Sequence, residues 1–117
     1  MQEKIKHIKV NNIEYPLVFN LNVMEKIQEE YETIEKWGEL TEGTETEIDV
    51  KALKYGITEM INEGIDIENE DKEEKREFLT SKQVGRLITE IGLQKLAEDV
   101  QKTVVDSTKT NNEQKNA

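Results

Sequence analysis

General acid–base and nucleophilic chemistry draws on His, Cys or an activated Ser held in a pocket by a partner group, and this sequence holds one histidine and no cysteine. His7 stands between Lys6 and Ile8 in a charged stretch that alternates like a strand, so its plain reading is a half-exposed strand residue. Ser81 falls in a helix-capping segment and Ser107 in a polar C-terminal segment. The run Asp66, Glu68, Glu70, Asp71 has the alternating oxygen ligands of a calcium loop, but its sixth position is Asp71, where the sharp turn of such a loop needs glycine. Solvated charge is the better reading. The glycines at 38, 43, 56, 64, 85 and 92 are scattered and form no phosphate cradle. No catalytic residue, cofactor or metal ligand set is therefore expected, and the chain is read as a non-enzyme.

Twenty-six acidic side chains against 16 basic ones leave a net charge of −10. Nucleic-acid affinity comes largely from Lys and Arg displacing counterions, so nucleic acid and anionic membrane surfaces are poor partners for this balance. Without cysteine there is no disulfide, and neither a long apolar run nor a secretory segment follows Met1. The expectation is a soluble cytoplasmic protein. With 34% hydrophobic residues in 117, one modest core is feasible only if the apolar side chains gather on a few faces.

They do gather. Ile8 and Val10, then Ile13, Tyr15, Leu17 and Phe19, alternate with polar or turn-forming neighbours as two short strands, and Asn11-Asn12 between them suits a two-residue turn. Pro16 confines its strand to an edge. Asn20 or Asn22 caps a first helix carrying Met24, Ile27, Tyr31, Ile34 and Trp37, an aromatic stripe read as core, with Gly38 as its stop. An exposed acidic, Thr-rich loop is expected over 39–47. Asp49 caps a second helix with Leu53, Ile57, Met60 and Ile61 on one face and Gly64 as its stop, and 65–77 reads as a solvated connector or short polar helix. Thr80 and Gln83 form a capping box for a third helix burying Val84, Leu87, Ile88 and Ile91. Gly92 breaks it before a last helix whose stripe is Leu93, Leu96, Val100 and Val104. That stripe has two open readings, core or docking face, and beside a loosely attached end it is the candidate protein-binding site. The sum is an α+β domain over 1–105, mainly helical, with an N-terminal hairpin and three to four amphipathic helices, followed by a disordered tail over 106–117.

Three segments, IEYPLVFNLNVMEKIQEEYETIEKW at 13–37, DVKALKYGITEMINEGIDIENED at 49–71 and FLTSKQVGRLITEIG at 78–92, together resemble the tail assembly chaperones of siphophages and prophages of Gram-positive bacteria. The resemblance implies a protein that binds the tape measure protein, keeps it soluble, helps major tail protein polymerise around it in the host cytoplasm, and is absent from the mature virion. It also implies a longer form made by programmed frameshift, and Gln114-Lys115-Asn116 can be encoded by codons that contain a slippery heptamer. Two other readings fit the composition: a structural head-tail connector or tail completion protein of the virion, and a small acidic module that binds a host protein.

Overall fold

Asn11 and Asn12 both take positive φ, 53° and 69°, the signature of the primed turn whose twist matches that of paired strands. The computed structural model describes residues 5–43 and 47–116, with side chains as far as residue 107. Strands β1 (Lys6–Val10) and β2 (Ile13–Leu17) pair antiparallel, with Val10 opposite Ile13, Ile8 opposite Tyr15 and Lys6 opposite Leu17. Ile8, Val10 and Leu17 point into the core. Pro16, opposite His7, points to the other face, in a two-stranded sheet where each strand has one unpaired side.

Five helices follow: α1 (Leu21–Tyr31), α2 (Ile34–Glu42), α3 (Val50–Asn69), α4 (Ser81–Ile91) and α5 (Leu93–Asn116). The molecule is α+β and mainly helical, as expected, with one helix more than the sequence suggests. The extra helix arises because the stripe from Met24 to Trp37 does not lie on one rod. Glu32 takes φ 75°, and the Thr33 hydroxyl accepts a hydrogen bond from the Lys36 N–H at 3.0 Å. Threonine satisfies a first-turn donor better as a cap than it serves a helix interior. The chain therefore restarts at Ile34, and α2 runs through Gly38 to end at Gly43, which is left-handed with φ 70°. Positions 39–42, expected in a loop, are helical, and Thr41 is buried. Positions 44–46 of that expected loop lie outside the described residues.

Helix α3 begins where expected, the Asp49 carboxylate accepting from the Ala52 N–H at 2.9 Å, but it passes straight through Gly64 to Asn69. Gly64 is a place of close approach. A Cβ there would sit 2.6 Å from Pro16, and Gly56 does the same for Trp37 at 2.3 Å. Trp37 is fixed further by its indole N–H, which donates to the Ala52 carbonyl at 2.9 Å. The inward side chains of α3, Leu53, Ile57, Met60, Ile61 and Ile65, are no more than 1% exposed. Val23 and Ile27 of α1, Val84 and Ile88 of α4, and the hairpin close over them.

The connector between α3 and α4 is extended and strapped to α3 by two asparagines. The Asn69 side chain donates to the Arg76 carbonyl and accepts from the Arg76 N–H, both at 2.9 Å. The Asn62 side chain makes the same pair of bonds with Leu79, at 3.0 and 2.8 Å. Two helical turns advance about 10 Å, and three extended residues cover about the same distance, so the two clamps are in step. Helix α4 then opens with the expected capping box, Thr80 and Gln83 exchanging bonds of 3.1 and 2.8 Å. The last helix does not stop at Val105. Asp106 and Ser107 are helical, the Ser107 hydroxyl donates to the Phe19 carbonyl at 2.8 Å, and the backbone stays helical to Asn116. A formed helix extends at one hydrogen bond per added residue without a fresh nucleus, so lack of apolar side chains does not end it where the apolar stripe ends.

The glycines give a direct check. Gly56→Ala and Gly64→Ala must displace Trp37 and Pro16 and are expected to lose about 1–3 kcal/mol in urea denaturation. Gly38→Ala, inside α2 with open space where its Cβ would go, is expected to gain about 0.5–1 kcal/mol.

Candidate protein-binding surface

The stripe Leu93, Leu96, Val100 and Val104, singled out as a docking face, faces inward. Leu96 and Val100 are 0% exposed and belong to the core, while Leu93 and Val104 are partly buried against it. Polar contacts hold the same helix down: the Gln101 amide donates to the Thr41 hydroxyl of α2 at 3.2 Å. Helical periodicity reports that a face is apolar and is silent on which protein covers it. Here the chain covers its own stripe.

Two depressions lie beside α3. The first, about 440 Å³, is rimmed by His7, Glu14, Glu68, Asp71, Lys72 and Arg76. His7, Glu68 and Arg76 are engaged in contacts of their own. The His7 ring nitrogen lies 2.6 Å from a Glu68 carboxylate oxygen, and the Arg76 guanidinium donates to the Glu14 carbonyl at 2.8 Å and stacks 4.6 Å above the Tyr15 ring. Each contact ties the hairpin to the end of α3 or to the connector, which is structural work. Of the acidic run, Asp66 and Glu68 ride on the last turns of α3, Glu70 caps it and Asp71 follows in a turn. Among the described residues no three acidic or histidine groups converge as a metal site, and no helix is long and apolar enough to cross a membrane. Ser81 opens α4 and is exposed.

The second depression is a groove of about 200 Å³ between α1 and α3, closed at one side by Phe78 of the connector. Asn22 and Lys26 line it from α1, and Glu59, Asn62, Glu63 and Asp66 from α3. The Glu63 carboxylate accepts from the side-chain amides of Asn20 at 2.8 Å and Asn22 at 3.0 Å. Those two asparagines, the alternative caps expected for α1, divide the work, since Asn20 caps the helix through the Val23 N–H. Phe78 is 56% exposed, and Leu21, one residue before Asn22, is 78% exposed. The sequence did carry a signal for this groove: Glu59, Glu63 and Asp66 follow four-and-three spacing and must share one face of α3.

The acidic character continues along the α1–α3 seam. Tyr31 and Tyr55 meet edge to face at 5.8 Å, and the Tyr55 hydroxyl donates to the Lys26 carbonyl at 3.0 Å. Burial raises the pKa of both phenols, and nearby carboxylates add to it, Asp49 and Glu30 for Tyr31 and first Glu59, then Glu30 and Glu29, for Tyr55.

Two measurements follow from this arrangement. Val100→Glu places a charge in the core and is expected to cost about 3 kcal/mol or more, whereas Val105→Glu, at a position 56% exposed, should change stability by less than about 0.5 kcal/mol. Because both phenols are raised from 10.0, the stability they contribute is intact below that value and falls as pH climbs through the higher folded value. The double variant Tyr31→Phe/Tyr55→Phe should accordingly lose less stability than the parent as pH rises above about 10, read as the shift in urea midpoint.

In comparisons with protein-family models, curated proteins and solved structures, none matches this chain.

Proposed function

We propose that this protein is a tail assembly chaperone of a long-tailed phage or prophage, a non-catalytic holder that binds the tape measure protein in the bacterial cytoplasm and is left out of the finished virion. Its single main support is that the three segments carrying the resemblance are not scattered over the fold. They comprise β2 with α1 and the first turn of α2, then α3, then the end of the connector with α4, and these elements pack on α3. A likeness spread over segments that pack on one helix weighs more than any of the short motifs taken alone. The acidic surface suits the work, because a net charge of −10 keeps a holder soluble while it carries an aggregation-prone helical client. Contact with major tail protein would come through the frameshifted longer form.

Co-expression with the tape measure protein tests this. The tape measure protein is expected to become soluble and to co-purify, and mass spectrometry of purified virions should find no copy of this chain. A tape measure protein that stays insoluble even with the longer form supplied, or this chain recovered from virions, would overturn the proposal and favour a connector or tail completion protein.

A further inference from the structure

Of the surface features, the groove between α1, α3 and Phe78 combines shape, charge and exposed apolar area at one place. Its three carboxylates, Glu59, Glu63 and Asp66, form no ion pair among the described residues, and Lys26 is the one cation among the side chains that line it. The amides of Asn20 and Asn22 orient Glu63 by hydrogen bonds and leave its charge uncancelled. Beside them Phe78 is 56% exposed, although the clamp of Asn62 on Leu79 holds its backbone in place. An aromatic side chain at the rim of a groove, on backbone that is already held, costs less ordering when a partner covers it than one on a free loop.

We infer that this groove docks a cationic amphipathic segment of a partner protein, a Lys or Arg side chain entering among Glu59, Glu63 and Asp66 while a neighbouring apolar side chain lies on Phe78. The volume of about 200 Å³ matches one long side chain rather than a small-molecule ligand. Lys and Arg suit such a mixed site because their aliphatic stems pack on apolar surface while the charged head reaches carboxylates. Charge complementarity selects the partner: an acidic or nucleic-acid surface would be repelled by the groove and by the acidic seam beyond it, and a basic segment is drawn in. This deepens the function proposed above and rests on it only in taking the protein's work to be holding another chain.

The test uses the full chain and a fluorescent synthetic amphipathic helix of about 20 residues, built from Leu, Ala, Lys and Arg, with a twin in which every Lys and Arg is replaced by Glu. Anisotropy should show binding of the basic peptide alone, and amide NMR shifts should concentrate at Asn22, Lys26, Glu59, Glu63 and Phe78. Glu59→Gln/Asp66→Asn should weaken binding roughly fivefold to tenfold, and Phe78→Ala should weaken it without loss of fold by circular dichroism. Glu73→Gln/Glu74→Gln makes the same change in net charge on exposed connector positions and should leave affinity within about twofold. Equal weakening by both charge pairs, shifts spread over the whole surface, or no binding would each overturn the inference. The two proposals fail separately. Undiminished capture of the tape measure protein by the groove variants would overturn the groove and leave the chaperone reading standing, and peptide docking here without any tape measure capture would do the reverse.

Discussion

The closeness with which α3 lets other elements approach its backbone governs this fold. Gly56 and Gly64 lie eight residues apart on α3, and each removes the one atom that would hold a neighbour off. Over Gly56 the indole of Trp37 comes down until its N–H reaches the Ala52 carbonyl, which fixes α2. Over Gly64 the Pro16 ring lies so near that the next turn of chain bonds to the helix itself, the Val18 N–H donating to the Met60 carbonyl at 3.2 Å, which fixes the hairpin. Glycine inside a helix costs about 1 kcal/mol relative to alanine. Here that cost is offset by burial of Trp37 and Leu17, each 1% exposed, at about 25 cal/mol per Å² of apolar surface.

Polar groups then carry the parts that apolar burial cannot reach. The acidic connector has few apolar side chains, Leu79 among them packing on the core, so apolar burial holds little of it against the domain. Asn62 and Asn69 substitute for a neighbouring strand, each offering one donor and one acceptor to one backbone residue. The same economy recurs at α5, where Gln101 meets the buried Thr41 hydroxyl and that hydroxyl in turn donates to the Trp37 carbonyl at 3.1 Å. Among the described residues no buried side-chain nitrogen or oxygen lacks a hydrogen-bond partner. Satisfied polar contacts of this kind add little net stability but make the wrong arrangements expensive.

Local chemistry made part of this fold legible in the residues alone. Asn11-Asn12, Asp49 and the Thr80–Gln83 pair act through neighbours two to three positions away, so their structural roles can be read without knowing the rest of the chain. Gly64 could not be read that way. Its meaning depends on Pro16, 48 positions earlier, and the same letter that ends a helix when φ must be positive continues one when another backbone must come near. The break at Glu32-Thr33 was hidden for a related reason: the apolar spacing runs on unbroken across it because both α1 and α2 turn a face to the same core. The two asparagine clamps leave no signature at all in hydrophobic periodicity.

The same distinction bears on the α5 stripe, whose two open readings were core and docking face. In a domain this small, with 34% hydrophobic residues, every periodic apolar stripe is needed to close the core, and the one on α5 is no exception. What the core leaves over is single exposed apolar side chains. Phe78 and Leu21 are such leftovers, and neither belongs to a stripe. Affinity at a surface of that kind rests on where charges are held rather than on apolar area, because scattered apolar contacts exclude water without burying much surface. The arrangement of Asn20, Asn22 and Glu63 is therefore more informative about partners than any hydrophobic pattern in the chain: two neutral donors hold one carboxylate in place and leave its charge for something else to meet.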